Sequence, residues 1–197
     1  MSHPLRFGVF VPQGWKLEYT GWSGPDAWAR SVELAQLAEQ LGYDHLWVYD
    51  HVETVPRREP THCFEAYTML AALSQRTTTI RLGELVTCAS YRNAGLLAKE
   101  AACIDVYSGG RLILGLGAGW FGREYEAYGY PYLADRERLR VLDESLEVIR
   151  RLPAGQPAEG DPVTPAWPYL TDHAEPSGAD SEEPALSAGR GNHGPFR

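Results

Sequence analysis

Positive charge is gathered nowhere in this chain: 18 Lys and Arg against 26 Asp and Glu leave a net charge of −8 over 197 residues, and the basic positions are scattered. Without a basic face, neither a nucleic-acid backbone nor an anionic membrane has a footprint to meet. Cysteine is scarce as well. Cys63, Cys88 and Cys103 have no CxxC spacing and would leave one thiol unpaired, so a disulfide framework is not expected and the thiols are read as free. No apolar run approaches membrane-spanning length, and residues 1–6 lack a basic segment followed by an apolar one. A cytoplasmic protein is expected. Metal-ligand spacing is missing too: His45, His51, His62 and Cys63 match no familiar ligand pattern.

What the chain does have is alternation. Residues 7–11, FGVFV, form a short apolar run ended by Pro12, which suits a strand buried on both faces. Pro25 and Asp26 then open a helix carrying Trp28, Val32, Ala35, Ala38 and Leu41 on one stripe until Gly42. Residues 45–51, HLWVYDH, are a second strand with a polar end, and residues 64–74 a helix with Phe64, Tyr67, Leu70 and Leu73 at spacings of three. Residues 80–88 resume strand character. Asn93 caps a helix over 94–107 that Ser108-Gly109-Gly110 closes. Residues 112–116 are a fourth strand, a Gly-rich loop follows, and Asp135 caps a long helix to about residue 152. Four β/α units in succession predict a parallel sheet covered by helices, either an open doubly wound sheet or part of a closed barrel.

Beyond Leu152 the composition changes. Eight of the 14 prolines and six of the 20 glycines fall in the last 45 residues, without apolar periodicity. Such a segment buries too little surface to order itself, so residues 1–152 are read as the structured domain and 153–197 as a disordered or non-native tail.

In parallel α/β proteins, chemistry collects at the C-terminal ends of strands. Asp50-His51 sits at one such end, where the acid could orient or charge the imidazole and the ring could move a proton; the bland alternative is an Asp-capped turn beside a solvated histidine. Residues 117–122, GAGWFG, match the dinucleotide fingerprint G-x-G-x-x-G directly after a strand. The fingerprint also demands a second strand ending in an acid about 20 residues on. Here that position, near Glu137, falls inside an arginine-rich helix, so the dinucleotide reading fails. Gly117 and Gly119 then either let a flat ring approach the backbone or simply make a tight turn. Arg92 could meet an anionic ligand or pair with a helix-surface acid, and nothing marks Cys88 as an activated nucleophile. Trp15 and Trp120 fall at strand ends where rings could line a pocket.

Taken together, RFGVFVPQGW (6–15), GYDHLWVYDHVETVP (42–56), RLGELVTCASYRN (81–93), SGGR (108–111), GLGAGWFGREYEAYGYP (115–131) and ERLRVLDESLEVIRRL (137–152) closely resemble LLM-class F420-dependent oxidoreductases of the bacterial luciferase-like superfamily. The resemblance implies a (β/α)₈ TIM-type barrel, of which this chain carries about the first four units. It also implies coenzyme F420, or alternatively FMN, at the C-terminal mouth, with hydride transfer to or from a small organic substrate. By position, Asp50 and His51 match the family's cofactor-contacting pair, with His51 the best candidate for proton handling beside the ring, and both are expected as catalytic residues. Leu85-Val86 matches a strand bulge where relatives carry a non-prolyl cis peptide against the cofactor ring, and Thr87, Cys88, Gly117, Ala118, Gly119 and Trp120 match cofactor-contacting positions. Trp120 stands where the sugar-phosphate dehydrogenase branch has a carboxylate, so a sugar phosphate is not an implied substrate. The departures are four units in place of about eight and an abrupt tail, which reads as truncation or frameshift. Against F420 chemistry stand two alternatives: an FMN-dependent, O₂-using monooxygenase, and an inactive half-barrel that aggregates or forms a homodimer over its open edges.

Overall fold

The computed structural model describes residues 5–151; the tail expected over 153–197 lies outside the described residues. Strands β1 (Gly8–Phe10), β2 (His45–Val48), β3 (Arg81–Glu84) and β5 (Leu112–Ile113) form one sheet in the order β1-β2-β3-β5, every pairing parallel. Two short strands, β4 (Thr87–Cys88) and β6 (Leu116–Gly117), form a second parallel pair. Helices α1 (Gly24–Gln40), α2 (Ala66–Ser74), α3 (Ala94–Ser108), α4 (Gly122–Tyr128) and α5 (Asp135–Arg151) alternate with them. The β/α alternation and parallel sheet expected from the sequence are present.

Local chemistry explains the helix ends. Ser23 accepts the Asp26 N–H at the start of α1, with Pro in the first turn. Glu65 accepts the N–H groups of Tyr67 and Thr68 before α2, and Asn93 accepts those of Gly95 and Leu96 before α3. Gly109 closes α3 in the left-handed conformation at φ 71°, as the Ser-Gly-Gly turn predicts.

The core lies between one face of the sheet and the helices. Leu46, Val48 and Leu82 from the strands, with Val11 just after β1, meet Ala35 and Ala38 of α1, Leu70 and Leu73 of α2, and Leu97, Ala101 and Ile104 of α3. Fully burying each Leu contributes about 1.5–3 kcal/mol. The other sheet face carries the Trp47 ring, which occupies the space a Cβ would need at both Gly8 and Gly83. At the strands' starting end, Arg111 gathers carbonyls of Ser74, Thr77, Ile80 and Ser108, while Glu39 accepts the N–H groups of Thr78, Thr79 and Ile80. Both ties hold the chain that enters β3.

Four expectations are corrected. The first strand is not buried on both faces: Phe10 is 38% exposed while Val9 packs against the core, because only alternate residues face the helices. The single strands expected over 80–88 and 112–116 are each broken in two, since the chain bends at Leu85-Val86 and at Leu114-Gly115 and re-pairs in a separate ladder. The Gly-rich segment after β6 is not all loop but contains α4. Asp135 is the first residue of α5 rather than a residue before it. Among the described residues, no helix is long and apolar enough to cross a membrane.

Candidate active site

The ends of β2, β3, β4 and β6 converge on a cavity of about 430 Å³. Nine of the ten residues expected there from the sequence line it: Asp50, His51, Leu85, Val86, Cys88, Gly117, Ala118, Gly119 and Trp120. Thr87 does not. It is fully buried, its hydroxyl shared between Tyr67 Oη at 2.8 Å and Glu84 Oε2 at 2.7 Å, because successive strand residues point to opposite sides.

The Leu85–Val86 peptide is cis, at the position the family resemblance implies. It lies between β3 and β4 and leaves both side chains partly open, at 46% and 42% exposure, as an apolar ledge on the cavity wall. The glycines opposite are required by packing. A Cβ on Gly117 would come within 2.6 Å of Val86 Cγ2, and one on Gly119, at φ 76°, within 2.1 Å of Tyr125 Oη and 2.5 Å of Cys88 Sγ. Close approach of this chain's own side chains, together with the one positive φ, accounts for the G-x-G spacing.

His51 and Asp50 are neighbours in sequence with separate partners. The His51 ring stacks on Trp15, centroids 4.0 Å apart and 4° from parallel, and meets the edges of Trp120 and Phe121. Its Nδ1 lies 2.9 Å from Glu124 Oε2, not beside Asp50. Glu124, in the first turn of α4, is fully buried. Its Oε1 accepts the N–H groups of Val52 and Glu53 at 2.9 and 3.0 Å, and its Oε2 also accepts the Tyr91 hydroxyl at 2.9 Å. Burial alone would raise the Glu124 carboxyl, but the hydrogen bond and charge of His51, the Glu53 N–H and the Tyr91 hydroxyl outweigh it, so its pKa lies below the ordinary carboxylate value. Burial and the adjacent Glu124 charge push the Tyr91 hydroxyl up, which keeps it a donor.

Asp50 is held from two sides. Its Oδ2 accepts the Cys88 N–H at 2.7 Å, and Arg92 grips both carboxylate oxygens. Arg92 also reaches Glu65 at 2.6 Å and lies over the Tyr67 ring. Of the two roles open to Arg92 from sequence, pairing with acids is the one observed. Glu84 lies behind this pair, 1% exposed. Burial and the Asp50 charge push its carboxyl well above the usual range, outweighing the Thr87 hydrogen bond. Burial likewise raises the Cys88 thiol, whose Sγ lies 3.0 Å from Tyr125 Oη, so it is no thiolate nucleophile.

Sequence reasoning missed Glu124 by reading the segment after the fourth strand as a Gly-rich loop. The available signal was the octet GREYEAYG, helix formers between two glycines, which places an acid in a first turn. Among the described residues no group of three or more His, Cys, Asp or Glu is placed to hold a metal.

The family model described as luciferase-like monooxygenase matches residues 5–191. An F420-dependent glucose-6-phosphate dehydrogenase of Amycolatopsis mediterranei is 35% identical over 123 residues, 61% of this chain and 36% of the relative. A 5,10-methylenetetrahydromethanopterin reductase of Methanolobus tindarius is 33% identical over 153 residues, 77% of this chain and 39% of the relative. Among solved structures, the monooxygenase RslO1 of Streptomyces bottropensis aligns with a TM-score of 0.62 and 26% identity over 75% of this chain and 43% of that one. The chain thus spans well under half the length of these relatives.

Proposed function

We propose that this chain, which belongs to the luciferase-like monooxygenase family, is the half of a (β/α)₈ barrel that carries the proton-handling side of an F420-dependent oxidoreductase acting on a small organic substrate. The observation that carries this reading is the meeting, on one cavity, of the Leu85–Val86 cis ledge with a carboxylate-held histidine. Support for a barrel comes from the strand order: among the described residues the strands of the parallel sheet lie side by side in chain order, whereas a doubly wound sheet reverses direction at a switch point.

The residues present fit a flat ring. The ledge of Leu85 and Val86 would lie under it, with Cys88 and the turn from Gly117 to Gly119 along its side and Trp120 at the mouth, 67% exposed. When bound, a deazaflavin supplies a site that accepts or gives a hydride. His51 would hold or move the proton at Nε2, since Nδ1 is engaged by Glu124. The Trp15, Trp120 and Phe121 rings around His51 shield that proton from water and favour an uncharged substrate. Asp50 acts through position, fixing the Cys88 backbone at the cavity wall.

A second reading, reduced FMN with O₂, is favoured by the fold likeness to RslO1, itself described as a monooxygenase. Thermal melts of the purified chain with saturating F420 or FMN test both, because a ligand that binds only the folded form raises the midpoint. A rise with F420 alone is expected. A rise with FMN alone transfers the proposal to the flavin, and a melt indifferent to both defeats it in favour of a non-catalytic half-barrel.

A further inference from the structure

We propose that Glu124 is the positioning residue for His51: by accepting the proton on Nδ1, it locks the neutral ring in the tautomer that presents the Nε2 lone pair to the cavity. The meaning of this device for turnover rests on the function proposed above, but the tautomer does not.

Four groups from two segments converge on the Glu124 carboxylate: Val52 N–H, Glu53 N–H, Tyr91 O–H and His51 Nδ1. An ionised carboxylate only accepts, so a neutral imidazole facing it must place its proton on Nδ1. Two backbone N–H groups and the Tyr91 hydroxyl donate to this fully buried carboxylate, which favours its ionised form. The ring cannot swivel to escape, because Trp15 stacks on one face and Trp120 and Phe121 close in at its edges. Glu124 is itself anchored by two backbone N–H groups from the segment that carries His51, so acid and ring move together.

The same geometry makes an amide replacement diagnostic. In Glu124→Gln, the two backbone N–H groups hold the side-chain oxygen at the Oε1 position. The amide nitrogen must then occupy the Oε2 position and donate to Nδ1. Donation to Nδ1 forces the ring proton to Nε2, which inverts what the cavity meets from an acceptor to a donor.

Side-chain ¹⁵N NMR of the unliganded chain, at a pH where the ring is neutral, reads the tautomer directly. The unmutated chain is expected to carry the proton on Nδ1, Glu124→Gln on Nε2, and Tyr91→Phe, which leaves the carboxylate in place, on Nδ1. A proton on Nε2 in the unmutated chain, an unchanged tautomer in Glu124→Gln, or a flip in Tyr91→Phe would each overturn the proposal. Should Glu124→Gln not fold, the unmutated chain and Tyr91→Phe still decide. If the chain turns over substrate, Glu124→Gln should lower kcat by up to about 10⁴ with little change in KM, the loss that the equivalent carboxylate-to-amide change causes in serine-protease triads. A melt that ignores both F420 and FMN would defeat the functional reading while leaving the tautomer result standing.

Discussion

Arg92 closes on Asp50 with both terminal nitrogens, Nη1 to Oδ2 at 2.6 Å and Nη2 to Oδ1 at 2.9 Å, in a site where each side chain is at least seven-eighths buried. A two-pronged guanidinium pair of this kind is strong because geometry and charge coincide. It also leaves Arg92 little capacity to recruit an anion. Arg92→Leu should therefore destabilise the fold by about 3–5 kcal/mol, the usual cost of leaving a buried charge without its partner. Urea denaturation checks this; an unchanged midpoint would mean that Asp50 does not depend on Arg92.

Glu84 sets a pH dependence that grows as pH rises. Its carboxyl is held well above the ordinary value by burial and by Asp50, so the folded state keeps the proton more tightly than the unfolded chain. The associated stability is complete below the unfolded pKa of about 4.3 and is lost as pH rises above it. Glu84→Gln removes the ionisation while keeping the shape. Relative to the unmutated chain, the variant should gain stability progressively from about pH 5 upward, and parallel denaturation profiles from pH 5 to 8 would refute this.

Glu39 works in the opposite direction. Partial burial would raise its carboxyl, but the N–H groups of Thr79, Ile80 and Thr78 prevail and hold it down to about 2. The stability it brings is present above an unfolded pKa of about 4.3 and disappears as pH falls toward 2. Glu39→Gln should flatten that acid limb in melts recorded between pH 5 and 2, with little effect on the alkaline side. A limb of unchanged slope would assign the acid sensitivity elsewhere.

Two glycines with similar φ separate conformational cost from collision. Gly42, at φ 80°, has open space where a Cβ would go, so Gly42→Ala should cost about 1–2 kcal/mol from backbone conformation alone. Gly119, at φ 76°, would drive a Cβ into Tyr125 Oη and Cys88 Sγ. Gly119→Ala should cost a further 1–3 kcal/mol or so and reduce any cofactor-induced rise in melting midpoint. Equal losses in the two variants would show that the cavity wall yields easily.

Trp120 separates ligand contact from stability. It is 67% exposed at the mouth, and Trp120→Ala should change the unfolding free energy by no more than about 0.5 kcal/mol. The same variant should weaken the midpoint rise caused by F420. A large stability loss instead would place the ring in the core.

The sequence by itself determined the features that depend on near neighbours. Apolar spacing marks α1 and α2; Asn93 and Gly109 bound α3 through caps that need only a few residues on either side; and the polar end of β2 points to Asp50 and His51. The family pattern carried the Leu85–Val86 bond and most of the cavity wall. Tertiary structure decided the partnerships. His51 finds its carboxylate 73 residues away rather than next door, Asp50 finds Arg92 42 residues on, and Thr87 turns inward while Cys88 faces the cavity. The split of the strands at Leu85 and Gly115 also belongs to this level, because each half pairs with a different ladder. Periodicity and capping are short-range effects that one segment expresses alone; which donor meets which acceptor depends on how the β/α units bring distant loops to the same end of the sheet, and that is set by packing of the whole core.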